Sequence, residues 1–340
     1  MSKQKSILIG GIISSAFLIV LGIFLSDTEE QVIRIDTGLR VAFIGDQGSG
    51  PNAFAVLNLI KDERAQVVLH QGDFDYQDDP EIWDNMISNV LGDDFPYFAS
   101  IGNHDVAAWS GYQEKLYDRL EKNPDAVCIG DLGIKSSCTY RGLFFIQVAP
   151  GIGGEEFHGT SFPTEYDSFI EEQLSNTEYS WRICSWHYDM NIMQKYTASN
   201  DSGFGVYDAC KNNGAIIANA HKHFYSRTKT LIDIQHQIVD PEWPGTDKLR
   251  VKEGATFVLI SGLGGGSIHS EDTGISGGLF TTRDSWGSIY ATEQDATYGA
   301  LFCVFDTTEQ PNKAYCYFKN IDGKIIDEFN ITNFVGIEDI

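Results

Sequence analysis

Short apolar runs alternate with segments of helical apolar spacing in the first third of the chain. Three runs have the composition of buried strands, and the stretches between them repeat apolar residues every three or four positions. The predicted elements are strands Leu39–Ile44, Val67–His70 and Tyr97–Ile101 and helices Ala53–Asp62 and Glu81–Val90. Strands that alternate with helices are typical of βαβ units, so the pattern predicts a mixed or parallel sheet.

The second half of the chain continues this alternation and then changes, at about residue 255, to strands separated by turns. The pattern predicts a helix at Thr164–Leu174 and strands at Leu143–Val148, Arg182–Trp186, Ala215–Asn219, Thr256–Ile260, Gly299–Phe305, Lys313–Phe318 and Lys324–Asn330. We therefore predict an α/β fold for residues 39–340, a single domain in which two β-sheets pack as a sandwich and helices cover their outer faces.

The N-terminal residues have the pattern of a transmembrane segment. Two lysines precede Ser6–Leu25, a run of twenty residues without a charge, and three acidic residues follow it. Twenty apolar residues can span a bilayer, and lysines before the span predict that the N-terminus is inside. We predict a signal anchor in residues 1–26, with a cleaved signal peptide as the alternative, and a tether in residues 27–38. Either form places the domain outside the cytoplasm, anchored at the cell surface or secreted.

Six cysteines are typical of a protein from an oxidising compartment, and six cysteines allow fifteen pairings. Cys303 and Cys316 flank a turn-rich stretch between two strand-like runs, so a hairpin would place them opposite each other. Cys128 with Cys138 is the next local pair, which leaves Cys184 with Cys210. The alternative is that all six are buried free thiols.

The composition is that of a globular protein, with 42% hydrophobic and 21% charged residues among 340. The formal net charge of -24 argues against binding to a nucleic acid backbone or to anionic lipid head groups. It gives an anionic substrate no long-range attraction either. Chemistry on an anion would therefore need a local positive charge, and a bound metal ion is the natural source.

Five polar clusters lie at or near the ends of predicted strands, and the carboxyl ends of strands in open α/β sheets converge on one crevice. The clusters are Gly45-Asp46-Gln47-Gly48, Gly72-Asp73-Phe74-Asp75-Tyr76, Gly102-Asn103-His104-Asp105, Trp186-His187 and His221-Lys222-His223. Together they offer carboxylate, amide, phenol and imidazole donors without a thiolate. Such a set suits iron, manganese or zinc.

This ordered set of clusters resembles the calcineurin-like metallophosphoesterases, over about Val41 to Phe334. Within them the chain is most similar to the purple acid phosphatase branch of the small, single-domain type. The marks of that branch are Tyr76, three residues after Asp73, and Gly48, where other branches have a ligand histidine. Ala220 departs from the pattern, because the family has glycine before the His-x-His.

The resemblance implies a sandwich of the αββα type in a catalytic domain, residues 39–340, with two metal ions. Asp46, Asp73, Tyr76 and His223 would hold the first ion, expected to be Fe(III). Asp73 would bridge to a second ion, expected to be Fe(II), Zn(II) or Mn(II), that Asn103, His187 and His221 would also bind. A metal-bound hydroxide would then attack the phosphorus atom, and His104 would stabilise the transition state and donate a proton.

The activity that this resemblance implies is hydrolysis of small phosphate monoesters, as in an acid phosphatase. The alternative on the same metal ions is a phosphodiesterase or a nucleotide pyrophosphatase. A further alternative from another class is a surface-anchored binding protein without catalysis, which would have lost a metal ligand. All the ligand positions are filled in this sequence. The oligomeric state is left open.

Overall fold

The computed structural model describes residues 38–152, 164–190, 202–269, 283–306 and 309–336. Five helices are present in these ranges: α1 (Pro51–Asp62), α2 (Pro80–Leu91), α3 (Trp109–Glu121), α4 (Thr164–Ser175) and α5 (Phe204–Asn212). The strands in the same ranges are β1 (Leu39–Ile44), β2 (Val67–His70), β3 (Tyr97–Ala99), β4 (Ala126–Asp131), β5 (Lys135–Tyr140), β6 (Leu143–Val148), β7 (Trp181–Ser185), β8 (Ile216–Asn219), β9 (Tyr225–Thr228), β10 (Leu231–Asp233), β11 (Ile238–Val239), β12 (Lys248–Val251), β13 (Val258–Ser261), β14 (Trp286–Tyr290), β15 (Gly299–Phe305), β16 (Lys313–Asn320) and β17 (Ile325–Asn333).

Two large sheets contain all of these strands except the small β10–β11 pair. Sheet A has the order β12-β17-β16-β15-β1-β2-β3, in which β1, β2 and β3 are parallel. Sheet B has the order β14-β9-β13-β8-β7-β6-β5-β4, in which β6, β7, β8 and β13 are parallel. Each sheet therefore has parallel strands at its centre or along one side, next to antiparallel hairpins.

The main hydrophobic core lies between the two sheets. Phe98 of sheet A packs on Phe145 of sheet B, with ring centroids 5.1 Å apart, and Trp181 packs edge-on against Phe305 at 4.9 Å. Helices α1, α2 and α3 contribute to the core on the side of sheet A, and α4 and α5 cover sheet B through a second cluster. The predicted two-sheet sandwich with flanking helices is confirmed.

The predicted strand Tyr97–Ile101 is two residues too long, since β3 ends at Ala99. Beyond that point the chain turns toward sheet B. The Ser100 hydroxyl donates to the Ser185 carbonyl at 2.9 Å, and the Ile101 N–H donates to the Gly133 carbonyl at 3.0 Å. These bonds connect the residues after β3 to β7 and to the turn before β5.

All six cysteines form disulfides, in the pairing expected from the sequence. The bonds are Cys128–Cys138 between β4 and β5, Cys184–Cys210 between β7 and α5, and Cys303–Cys316 between β15 and β16. In the hairpins, the paired cysteines face each other across the ladder. The alternative of buried free thiols is therefore wrong.

The predicted signal anchor, residues 1–26, lies outside the described residues, as does nearly all of the tether. Within the ranges that the structure describes, no helix is both long enough and apolar enough to cross a membrane.

Candidate metal centre

Tight turns follow the central strands, and four of the predicted ligand residues stand in them with left-handed backbone conformations. The φ angles are 54° at Asp46, 61° at Asp73, 60° at Tyr76 and 68° at His221. Residues with side chains rarely adopt this region, and such strain concentrates at functional sites. The turns hold these side chains at the edge where the two sheets meet.

The first group of predicted ligands is formed by Asp46, Tyr76 and His223. The Tyr76 hydroxyl lies 3.2 Å from Asp46 Oδ1 and 3.0 Å from His223 Nε2. His223 Nε2 is in turn 3.3 Å from Asp46 Oδ1. Asp46 follows β1 in sheet A and His223 follows β8 in sheet B, so the group joins the two sheets.

The second group is formed by Asp73, Asn103, His187 and His221. His187 Nε2 lies 3.0 Å from Asn103 Oδ1 and 3.4 Å from Asp73 Oδ2. One ligand atom from each of Asp73, His187 and His221 can be chosen so that all three lie within 4.8 Å of one another. His187 Nδ1 lies 2.8 Å from the Gln71 carbonyl oxygen, which orients Nε2 toward the group.

His104 is exposed at the mouth of the site. Its backbone N–H donates to Asp73 Oδ1 at 2.9 Å, and its ring lies against the ring of Tyr76 with centroids 4.8 Å apart. The side chain is therefore next to both ligand groups without being buried between them.

The site's electrostatics favour a bound cation. Burial raises the pKa of the Tyr76 phenol well above its ordinary value of 10.0, and the carboxylates of Asp46 and Asp73 raise it further. Burial lowers the pKa of His221 to about 2, with a further contribution from His187. Burial opposes charge on His187 as well, but Asp73 raises the pKa of that imidazole to about 9. A metal ion bound among these buried carboxylates would supply the positive charge that protonated His187 provides in its absence.

One carboxylate oxygen, Asp46 Oδ2, directly supports a metal ion in the first group. Asp46 Oδ2 is fully buried and accepts no hydrogen bond from the described residues. A buried carboxylate oxygen without a partner is costly, and a metal ion would satisfy it. The oxygen and imidazole donors present fit iron, zinc or manganese.

Two glycines allow the backbone to approach these carboxylates closely. A Cβ atom at Gly102 would lie 2.2 Å from both the backbone nitrogen and Oδ1 of Asp73. A Cβ atom at Gly262 would lie 2.0 Å from the Lys222 carbonyl oxygen and 2.6 Å from Asp46 Oδ2. A side chain at either position would displace one of the predicted ligands.

The departure at Ala220 is accommodated by a neighbouring glycine. A Cβ atom at Gly45 would lie 2.3 Å from the Ala220 methyl carbon, so the absence of a side chain there makes room for the alanine. The Ala220 N–H donates to the His187 carbonyl at 3.2 Å. The extra methyl group is therefore compatible with the turn that leads into His221.

Sequence reasoning assigned no role to Asp105, which is fully buried beneath the site. Its carboxylate accepts hydrogen bonds from the backbone N–H groups of Asp73 at 2.9 Å, Phe74 at 2.8 Å and Gly102 at 2.7 Å. Burial raises its pKa to about 7, and the charge of Asp73 adds to the effect. Asp105 thus fixes two of the strand-end turns relative to each other.

Two further histidines lie close to the site. His269 is half-buried, and its ring stacks on the ring of His223, with centroids 4.1 Å apart and an interplanar angle of 9°. His70 is fully buried, and its Nδ1 accepts the Gly72 N–H at 3.0 Å in the turn before Asp73.

Comparisons with solved structures support the fold. The purple acid phosphatase PPD1 from yellow lupin (Lupinus luteus) seeds is 15% identical, with a TM-score of 0.61, and the match covers 87% of this chain and 54% of that chain. GAP50, the anchor in the inner membrane complex of Plasmodium, is 15% identical with a TM-score of 0.51, and the match covers 87% of this chain and 89% of that chain. This chain therefore spans about half the length of the lupin enzyme. At these identities the similarity is one of fold alone.

The family is shown by the sequence itself. No curated protein matches the chain. The sequence model of the calcineurin-like phosphoesterase family, however, matches residues 39–225, which is more than half of the 340 residues. This range contains every strand-end turn of the site, from Asp46 to His223. The chain is thus a member of the calcineurin-like phosphoesterase family.

Proposed function

We propose that this protein hydrolyses small phosphate monoesters with two metal ions bound side by side. Asp46, Asp73, Tyr76 and His223 would hold the first ion, and Asp73, Asn103, His187 and His221 the second. The single observation that supports this most strongly is the convergence of these side chains from both sheets into two groups, the first of which contains the buried Asp46 Oδ2 without a hydrogen-bond partner among the described residues. Asp73 would bridge the ions.

When bound, the two ions supply Lewis acidity, which polarises a phosphate ester and makes water acidic enough to ionise near neutral pH. The residues of the protein orient the metal ligands and donate a proton. Gln71 orients His187 through its backbone carbonyl, and Asp105 holds the turn that carries Asp73. His104, exposed at the mouth and resting on Tyr76, would donate a proton to the leaving alkoxide.

The identity of the first ion is proposed from the chemistry of Tyr76. Because burial and two carboxylates raise the pKa of its phenol, the phenolate forms readily only if a strongly charged cation offsets that cost. Fe(III) has that charge and favours phenolate oxygen. The second group has two imidazoles, an amide and the shared carboxylate, a set that suits Fe(II), Zn(II) or Mn(II).

We further propose that the enzyme works outside the cytoplasm. Three disulfides are typical of secreted or surface proteins, since cytosolic thiols are kept reduced. The charge pattern around the uncharged run Ser6–Leu25 supports the same location, with the N-terminus inside. The small phosphate ester would then be a substrate from the cell exterior or from a secretory compartment.

The test is hydrolysis of a chromogenic aryl phosphate monoester by the purified chain after loading with iron and zinc. Asp73→Asn is the test variant, because it weakens both sites at once. Asp93→Asn is the matched control, since Asp93 is largely exposed, pairs with Lys122 and is not a predicted ligand. We expect turnover by the wild type and the control, and a loss of at least about 100-fold in Asp73→Asn.

A folded, metal-loaded wild type that fails to turn over the monoester would contradict the proposal. A bis(aryl) phosphate then separates the remaining possibilities. Turnover of that diester would identify a phosphodiesterase on the same ions, and binding of phosphate without any turnover would identify a non-catalytic binding protein.

A further inference from the structure

The imidazole of His223 is held at both nitrogen atoms. Nε2 faces the Tyr76 hydroxyl at 3.0 Å and Asp46 Oδ1 at 3.3 Å. Nδ1 faces Ser267, with 2.7 Å to the hydroxyl oxygen and 3.1 Å to the carbonyl oxygen. If Nδ1 carries the proton and donates it to the Ser267 carbonyl, the Nε2 lone pair is left for a metal ion.

The flat face of the same imidazole is covered by His269. The two rings are nearly parallel, and their centroids are 4.1 Å apart. The His223 backbone N–H also points at His269 Nδ1, at 3.3 Å. His269 therefore contacts His223 both through the face of its ring and through its Nδ1 atom.

The segment that carries these contacts is itself fixed. The carbonyl of His269 accepts two hydrogen bonds from Thr292, one from the backbone N–H at 3.2 Å and one from the hydroxyl at 3.0 Å. The neighbouring Ile268 packs against the main core. The three residues from Ser267 to His269 therefore contact both His223 and the rest of the fold. We call these three residues the His223 clamp.

We propose that His269 is a positioning residue, which fixes the ring plane of His223 and so holds its Nε2 toward the first metal ion. This inference rests on the proposed function, because it assumes an ion between Asp46, Tyr76 and His223. It predicts an effect on that ion alone. The clamp contacts His223, which belongs to the first group, so the effect is expected on the first ion.

The test compares metal release from three loaded proteins, the wild type, His269→Ala and His269→Phe. A chelator removes the ions, and the visible absorption of the Tyr76 site reports on the first ion while total metal reports on both. Partners that orient a ligand typically contribute a factor of about 10 to 100 in metal affinity. We expect His269→Ala to bind the first ion about 10-fold more weakly than the wild type, with the second ion unchanged.

His269→Phe distinguishes positioning from loss of a nitrogen. Phenylalanine retains a flat ring over His223 but has no acceptor for the His223 N–H, so we expect it to restore most of the affinity for the first ion. His236→Ala is the control for loss of a histidine, because His236 is exposed and pairs with Asp233. Thermal unfolding of the metal-free proteins should be nearly equal in all variants.

Two results would overturn the inference. One is wild-type affinity for the first ion in His269→Ala, and the other is a loss in His269→Phe as large as that in His269→Ala. A wild type that binds no ion at the Tyr76 site would instead contradict the proposed function, which is a different outcome of the same titration.

Discussion

The Asp105 carboxylate accepts the backbone N–H of Asp73 at 2.9 Å, across 32 residues of sequence. Its other oxygen accepts the Phe74 N–H at 2.8 Å, and the Gly102 N–H adds a third bond at 2.7 Å. The backbone of the turn that carries Asp73 is thus tied to the turn that carries Asn103 and His104. One buried carboxylate sets the distance between residues from both ligand groups.

Replacement of Asp105 by alanine should therefore loosen the site before any metal binds. The three buried N–H donors would lose their acceptor, and each unsatisfied donor costs about 1–3 kcal/mol. We expect the metal-free Asp105→Ala protein to lose at least about 3 kcal/mol of unfolding free energy in urea. Asp125→Ala is the control, because Asp125 makes only an exposed ion pair with Arg141. Equal stability of the two variants would contradict this view of Asp105.

Tyr76→Phe should remove the colour of the iron-loaded protein. A phenolate bound to Fe(III) absorbs broadly in the visible range, and phenylalanine has no oxygen to bind. Tyr188→Phe is the matched control, since the Tyr188 ring lies against His221 at 4.5 Å but is not a predicted ligand. Absorption spectra of the two loaded variants check the assignment. A visible band that persists in Tyr76→Phe would show that another group binds the iron.

His104→Gln should lower turnover most for substrates with poor leaving groups. An alkoxide needs a proton as the P–O bond breaks, whereas a nitrophenolate leaves without one. We expect kcat to fall about 100-fold for an alkyl phosphate and clearly less for a nitrophenyl phosphate. The ratio of the two kcat values, measured at one pH with equal metal content, is the readout. An equal fall in kcat for both substrates would show that His104 is not the proton donor.

The ionisation of Glu63, which is not a predicted ligand, should make the free energy of unfolding depend on pH. Burial alone would raise its pKa, but hydrogen bonds from Lys319 at 2.5 Å and Tyr317 at 2.6 Å, and the charges of Lys319 and Arg40, lower it below 4.5. The folded state favours the ionised carboxylate. The contribution of Glu63 to the free energy of unfolding is therefore complete above pH 4.5 and is lost as the pH falls through the lowered pKa of the folded state.

The check on Glu63 is urea unfolding of the wild type and Glu63→Gln between about pH 7 and about pH 3. We expect the wild type to be more stable by about 1 kcal/mol at neutral pH, and the difference to shrink on acidification. Asp93→Asn should show no such trend, because Asp93 is exposed. A difference that stays constant over this range would rule out the coupling.

The sequence predicted the residues that meet at the site because their positions follow from strand geometry. Each of Asp46, Asp73 and Asn103 comes soon after a short apolar run, and the ends of β1, β2 and β3 must lie along one edge of a parallel sheet. His221 and His223 come after β8, which is parallel to β7 before His187. No knowledge of side-chain contacts was needed to place these residues together.

The role of Asp105 and the stack of His269 on His223 could not be predicted in the same way. Asp105 acts through backbone groups that are distant in sequence, and a carboxylate after Gly-Asn-His carries no local sign of such contacts. His269 stands in an irregular loop without periodicity. Its burial depends on contacts with His223 and Thr292, which are distant in sequence.

Helix α3 is a different case, because the spacing of its apolar residues in the sequence is itself helical. It buries Trp109, Tyr112, Leu116 and Leu120, which are spaced by three or four residues as one face of a helix requires. The polar residues between them gave the stretch a low mean hydropathy. Periodicity would have been the better guide at this position.

The three disulfides have one consequence for the protein as a whole. Cys303–Cys316 lies within sheet A, Cys128–Cys138 lies within sheet B, and Cys184–Cys210 joins β7 of sheet B to α5. The two layers are therefore not cross-linked covalently, although each proposed ion would take ligands from both. In the metal-loaded protein the ions would link the two sheets through their ligands. Removal of the ions by a chelator should therefore let the sheets separate locally more often and make the protein more sensitive to proteases. Metal content would then govern the lifetime of the protein as well as its catalysis.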